Sequence, residues 1–280
     1  MAARTRQPTP PRTQRRRHRI NAGRVAVEAQ VAFFHDQFGE VASEWKEDNT
    51  RVTFADFAIS EKVFAALRRD FPHDDYCSEE SNPADEVQQL EAEYAWVIDP
   101  IDGTNNYATG FPVCAISLAL LENGEPLYGF VYDMARRSLI EGGPGFGLKD
   151  GKHTIRDLDD PGTLDHAGAT IGLHFPLPPT VYQALEPMLT KHRIRSIGSA
   201  TLGLAYTALG QVDGSIEFKA KVWDIAAACA LMAATGRPMT FIGESPFPLK
   251  TFHVRAPATP YYGGTASFCA AASGWLSALD

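Results

Sequence analysis

Apolar residues recur at three- and four-residue intervals from about Ala22, through Val25, Val27, Val31, Phe33 and Phe34 to a break at Gly39, and predict a helix. A second helix is predicted over Phe54 to Phe71, where Phe57, Ile59, Val63, Phe64 and Leu67 form the apolar stripe and Pro72 ends it. The pattern then changes: "AWVIDP" and "AISLALLENGEPLYGFVYD" read as strands, with a turn through Asn123-Gly124 joining the last two. This half reads as helices stacked on an antiparallel sheet. The segment "PGTLDHAGATIGLHFPLPPT", rich in glycine and proline, reads as a boundary. Beyond it, "TVYQALEPMLTKH", "ATLGLAYTALG" and "WDIAAACALMAATG" carry helical periodicity and alternate with the strand candidates "RIRSIG" and "GSIEFK". That alternation predicts a layered α/β second half. The division expected is an arm over 1–20, an α+β unit over 21–160 and an α/β unit over 161–280.

Composition narrows the classes. With 280 residues, 44% hydrophobic and 21% charged, the chain can bury a substantial core. Its longest apolar runs, near Phe111 to Leu121 and Ile225 to Ala234, fall short of the roughly 20 residues a membrane helix needs. Cys77, Cys114, Cys229 and Cys269 are scattered with no Cys-x-x-Cys spacing, which indicates neither a zinc site nor a disulfide framework and fits a reducing cytoplasm. Charge changes the picture at one end. The formal net charge of −8 becomes −15 once the seven arginines of "MAARTRQPTPPRTQRRRHRI" are set aside. This proline-broken, acid-free stretch reads as a disordered arm, with three roles open: an inert tail, a contact to nucleic acid or an acidic partner, or a transit peptide.

The candidate chemistry sits where a core strand ends. In "WVIDPIDGTNNYATGFP", Pro100 and Gly103 fix a tight turn that aims Asp99 and Asp102 into one small volume. Two such carboxylates repel each other unless cations lie between them. All-oxygen ligands favour magnesium over zinc. Gly103 and Thr104 offer backbone N–H groups to a phosphate oxygen. Upstream, "CSEESN" places Glu79 and Glu80 in a polar loop; downstream, "VWDIAAACALM" starts a helix with Asp224 in its first turn. Taken singly, Asp56 and Asp224 read equally well as helix-start acids, and Glu79 or Glu80 as solvated loop charges.

Four segments, in order, resemble the inositol monophosphatase family of magnesium-dependent, lithium-sensitive sugar phosphatases, related to fructose-1,6-bisphosphatase. "DPIDGTNNYATGFP" is similar to its first signature and "VWDIAAACAL" to its second; "DNTRVTFADFAISEKV" and "CSEES" are similar to its Val-Thr-x-x-Asp helix start and Glu-Glu-Ser loop. The resemblance implies a layered α/β/α/β/α sandwich. It also implies that Glu79, Asp99, Asp102, Asp224 and the Ile101 carbonyl hold Mg2+, with Asp56, Thr104 and Glu79 serving catalysis. Gly103 and Thr104 amides would receive the phosphate, and Gly198, Ser199, Glu217 and Asp224 would lie on the substrate side, Glu217 accepting hydrogen bonds from polyol hydroxyls. A homodimer and lithium inhibition follow from the same resemblance, and Lys46 would belong to a mobile loop or stand as a solvated lysine.

The sequence departs from the pattern at Ala228, where glycine is usual, at Ala234-Thr235-Gly236-Arg237, where Glu-Ala-Gly-Gly is common, and mildly at Tyr107. None of these is an implied ligand, so the departures bear on specificity. His35, His73, His153, His174 and His192 show no ligand-like spacing and read as surface or half-buried residues. The function expected is phosphomonoester hydrolysis of inositol monophosphate or a similar polyol phosphate. Open alternatives are the same chemistry on fructose 1,6-bisphosphate, histidinol phosphate, NADP or a 3'-phosphoadenosine nucleotide, or a non-catalytic member of the fold that binds RNA or protein.

Overall fold

The computed structural model describes residues 11–40, 43–45, 51–80, 82–83, 85–156, 158, 160, 162–164 and 168–277. The chain runs through α1 (Arg12–Glu28), α2 (Val31–Asp36), β1 (Ser43–Trp45), β2 (Arg51–Thr53), α3 (Phe54–Asp70), β3 (Asp75–Ser78), β4 (Gln88–Gln89), β5 (Tyr94–Asp102) and α4 (Thr104–Ala108). There follow β6 (Ala115–Glu122), β7 (Glu125–Asp133), β8 (Ser138–Gly143), β9 (Gly147–Asp150), β10 (His153–Ile155), β11 (Thr170–Leu173), α5 (Pro179–Leu189), β12 (Arg193–Arg195) and α6 (Ala200–Ala208). The last elements are β13 (Gly214–Glu217), α7 (Val222–Thr235), β14 (Met239–Phe241), β15 (Thr251–Phe252), β16 (Tyr261–Gly264) and α8 (Ala266–Leu276).

These elements stack in five layers, as the resemblance implied. Helices α1 and α3 cover one face of a seven-stranded sheet, ordered β10-β9-β8-β7-β6-β5-β3, and α6 and α7 cover the other. A five-stranded sheet, β12-β11-β13-β16-β14, packs beyond α6, and α5 and α8 close its far side. In the first sheet only β3 runs parallel to its neighbour, β5. Central strands buried on both faces explain the continuous apolar runs. Ala95, Val97, Ala115 and Ala119 enter the core shared with α7, whereas Trp96, Ile98, Ile116 and Leu118 meet Val27, Ile59 and Val63 of α1 and α3. The expected turn holds: Asn123 and Gly124 both take positive φ, 52° and 82°, the form that matches the twist of a two-residue hairpin.

Two expectations are corrected. The arginine-rich stretch is not disordered from Arg12 onward: α1 begins there, ten residues before its apolar pattern. Its arginines find acids on the sheet. Arg12 and Arg16 both grip Glu122, Arg15 pairs with Glu93, and Arg19 makes two bonds to Asp74 at 2.7 and 2.8 Å while stacking 3.9 Å from the centre of the Tyr94 ring. A composition count registers mutual repulsion among these cations, but their partners lie 55 to 110 residues away. Residues 1–10 and Lys46 lie outside the described residues. The second correction is that the segment read as a boundary contains strand β11, whose Gly172 masks its strand character. Among the described residues no helix is long and apolar enough to cross a membrane.

Candidate metal centre

Side chains alternate faces along a strand, so residues three apart, such as Asp99 and Asp102, ordinarily point to opposite faces. Here the ladder between β5 and β6 shifts: Asp99 faces Ser117, but Asp102 faces Ala115, so three steps on β5 match two on β6. The extra residue is a bulge at Pro100-Ile101, where proline has no N–H to lose from the ladder. The bulge returns Asp102 to the face of Asp99, toward the start of α7. There Asp224 completes the group: carboxylate oxygens of Asp99, Asp102 and Asp224 lie within 4.8 Å of one another.

The surrounding elements converge on this point. Strand β3 runs parallel to β5 with Ser78 opposite Ile98, which brings Glu79, the next residue, level with Asp99. Asp56 and Asp224 each occupy the third position of a helix and reach back to its start. Asp56 Oδ2 accepts from the Thr53 N–H and hydroxyl, both at 2.7 Å, and Asp224 Oδ2 accepts from the Lys221 N–H at 2.7 Å. The helix-start reading of these two acids therefore holds together with their place in the cluster. Asp99 accepts from the Ile101 N–H at 3.0 Å, and the Thr104 hydroxyl donates to the Ile101 carbonyl at 2.9 Å. Asp102 caps the next layer, accepting from the Ser199 hydroxyl and from the N–H groups of Ala200 and Thr201 at the start of α6.

Electrostatics here are unfavourable for the protein alone. Asp99 and Asp102 are 3% and 6% exposed. Burial, then Glu79, Asp102, Asp224 and Asp56, pushes the Asp99 carboxyl well above its usual range; burial, then Asp102 and Glu79, does the same to Asp224. Burial pushes Asp102 up to about 6 even though Ser199, His174 and the α6 amides pull it down. The largest charges acting on Asp99 are all carboxylates. A small hard cation is what such an all-oxygen donor set lacks, so the residues fit a divalent metal.

Beside the acids, Gly103 holds the left-handed conformation at φ 84°, and a Cβ there would come within 3.0 Å of the Val113 carbonyl and 3.1 Å of that of Gly198. Asn106 fastens this junction by donating to Val113 and Ile197 carbonyls, both at 2.8 Å. Glu217 closes the far side. Its Oε1 accepts from the Phe218 and Lys219 N–H groups at 2.8 Å, and its Oε2 pairs with His174 Nδ1.

Sequence reasoning missed Asn106, Thr201 and His174. Asn106 stands in the first signature itself, but the other two act across layers: His174 precedes Glu217 by 43 residues and meets it only because β11 and β13 are neighbours. The departure at Ala228 is accommodated, since that residue is fully buried in the core under α7 and the close approach is provided by Gly129 of β7, where a Cβ would lie 2.1 Å from the Ala227 carbonyl.

Comparison with known proteins agrees with this arrangement. The sequence pattern of the inositol monophosphatase family matches residues 13–273. A fructose-1,6-bisphosphatase/inositol-1-monophosphatase of Aquifex aeolicus is 30% identical over 234 residues, 80% of this chain and 86% of the relative. The Nus factor SuhB of Pasteurella multocida is 30% identical over 223 residues, 78% and 81% of the two chains. The solved structure of an IMPase from Thermotoga maritima superposes with a TM-score of 0.78 at 24% identity, covering 94% of this chain and 98% of that one. With a match over nearly its whole length and relatives at this level of identity, the chain belongs to the inositol monophosphatase family.

Proposed function

We propose that the protein is a magnesium-dependent phosphomonoesterase acting on inositol monophosphate or a similar polyol phosphate. The observation that carries this reading is the mutually repelling cluster of Asp99 and Asp102, both buried, and Asp224, half-buried, beside the left-handed turn at Gly103. Asp99, Asp102, Asp224, Glu79 and the Ile101 carbonyl would hold the ions. Bound there, magnesium supplies Lewis acidity, which polarises phosphoryl oxygens and makes water acidic enough to attack near neutral pH.

The chain's own groups position the reaction. The Thr104 hydroxyl fixes the Ile101 carbonyl, and with Asp56 it orients the attacking water. The amides of Gly103 and Thr104 receive the phosphate in a turn that has no room for a side chain. Gly198, Ser199 and Glu217 border the alcohol part of the ester. Because Asp56, Asp102 and Asp224 each also hold a helix start, their carboxylates are preorganised rather than free to swing.

The test is phosphate release, in magnesium and then in chelator, from inositol 1-phosphate, fructose 1,6-bisphosphate, histidinol phosphate, NADP and a 3'-phosphoadenosine nucleotide. Magnesium-dependent turnover of at least one ester, abolished by Asp99→Asn, is expected. A folded protein silent on all of them would overturn the reading in favour of a binding role. The name of the relative from Pasteurella multocida points that way, but the described arginines of α1 other than Arg17 are committed to partners and do not supply a nucleic-acid surface. The same proposal includes a homodimer and lithium inhibition, checked by light scattering and by assay in added lithium; a monomer or full activity would remove them.

A further inference from the structure

Asp102 stands on a rung of the seven-stranded sheet that carries a second buried carboxylate. Asp102 of β5 faces Ala115 of β6, and Ala115 faces Asp133, the last residue of β7. Cross-strand partners share a face, so both carboxylates point toward α6, with the Ala115 methyl between them. Asp133 is fully buried, and its Oδ2 accepts from the Tyr206 hydroxyl at 2.7 Å. At two strand spacings of about 4.8 Å each, the two acids lie about 9.6 Å apart across the sheet. Ala200 and Tyr206 of α6 are separated by about 9 Å, at about 1.5 Å per residue along the helix. The match means that α6 crosses the strands with its first turn tied to Asp102 and its third to Asp133.

What α6 brings to Asp102 decides how much of that carboxylate a cation can use. Oδ2 is taken by the Ser199 hydroxyl and, at 3.1 Å, by the Thr201 N–H, whereas Oδ1 has the longer bond to the Ala200 N–H at 3.3 Å and is the freer oxygen. The Thr201 hydroxyl also donates to the Asp224 carbonyl at 2.6 Å, so the same turn touches two of the three acids in the cluster. The other tie is itself braced. Asp133 Oδ1 accepts from the Arg136 N–H at 3.1 Å, and the Arg136 guanidinium pairs with Asp150, which also accepts from the Ser138 hydroxyl at 2.6 Å. Burial, then Asp133, pushes the Tyr206 phenol far above its usual range, which keeps it an O–H donor. Tyr206 borders a cavity of about 310 Å³ together with Gly172, Ala200 and Glu217, but its hydroxyl is turned to Asp133 and is not free for a ligand there. We infer that Tyr206 and Asp133 are a positioning pair for the metal centre: they fix where α6 lies and, through its first turn, how Asp102 is presented to the cation. The inference rests on the magnesium reading of the acidic cluster and adds to it two residues outside the cluster that govern ion affinity.

The test is magnesium binding, followed by calorimetry in the full chain without substrate. Tyr206→Phe keeps the ring and removes the hydroxyl, and is expected to raise the magnesium dissociation constant at least threefold. Thr207→Val is the control: it removes a buried hydroxyl of the same helix, bonded to the Gly203 carbonyl and to the Ser215 hydroxyl, both at 2.8 Å, without touching either tie. It is expected to leave the constant within twofold of wild type. Melting curves taken in chelator establish that both variants are folded at the temperature of the titration, so a difference between them reports the position of α6 rather than a general loss of stability. A change below threefold in Tyr206→Phe, or an equal change in Thr207→Val, would overturn the positioning role while leaving the metal centre intact. A folded wild-type protein that binds no magnesium would overturn both.

Discussion

Glu122 anchors the arginine-rich end of α1 through Arg12 and Arg16, and its removal tests whether that helix is held by charge. The carboxylate side chain is 5% exposed, while its partners Arg12 and Arg16 keep 57% and 27% of their side chains in water, and the Tyr94 hydroxyl donates to it at 2.9 Å. Breaking a fully buried pair costs about 3–5 kcal/mol, and breaking an exposed one about 0–1 kcal/mol. A carboxylate buried at one end, with cations reaching in from solvent, falls between, so Glu122→Gln is expected to weaken the docking of α1 by about 2 kcal/mol. If α1 opens locally, amide hydrogen exchange over its central turns should accelerate by about 30-fold, at 1.36 kcal/mol per factor of ten. Burial raises the Glu122 carboxyl, but bonds from Arg16, Arg12 and Tyr94 outweigh it and hold the group well below the carboxylate range. A depressed native value means the contribution is complete above the unfolded carboxylate pKa and is lost as pH falls below about 4.5 toward the native one. The difference between wild type and variant should therefore be full at pH 7 and shrink in acid. Exchange changed by less than twofold at pH 7 would refute the argument and leave α1 held by Ile20, Ala26 and Val27 and by the ion pairs of Arg15, Arg19 and Arg24.

Other outcomes follow from the same structure. Asp99→Asn should lose at least a thousandfold in magnesium-dependent turnover and bind magnesium more weakly by calorimetry, yet melt no lower than wild type in chelator, because it removes one of several repelling buried charges; a lower melting temperature in chelator would contradict that account. Gly129→Ala places a methyl 2.1 Å from the Ala227 carbonyl and should cost about 3 kcal/mol, read as a fall in urea midpoint; a drop under 1 kcal/mol would mean α7 can lift off β7. Burial pushes the thiols of Cys229 and Cys269 up to about 12 and about 11, so alkylation of either should keep accelerating as pH rises past 9; a plateau near pH 8.5 would show an ordinary thiol.

What the sequence disclosed and what it hid divide along a physical line. Asp99, Asp102 and Gly103 share one turn that local signals were enough to nominate, whereas Asp56 and Asp224, at the starts of helices that periodicity located, and Glu79, in a polar loop, were assigned to the site only through the family resemblance. The bulge that puts Asp99 and Asp102 on one face depends on the register of β6, which no local pattern encodes. The docking of Arg12, Arg16 and Arg19, and the pairing of His174 with Glu217, depend on which strands are neighbours. Strand β11 was hidden for a related reason: its Gly172 serves packing and cavity, and glycine reads locally as a breaker.

Asp102 is at once a wall of the metal centre and the bracket from which α6 hangs, since Ser199, Ala200 and Thr201 all bond to it. An ion drawing on that carboxylate competes with the bracket or tightens it, and a shift of the second sheet, carried by α6, retunes the ion's seat. Such coupling would be reciprocal: the factor by which a ligand that moves α6 changed cation affinity would equal the factor by which the cation changed that ligand's affinity. Under the proposed function, cation and leaving group would therefore be linked through one helix, without touching.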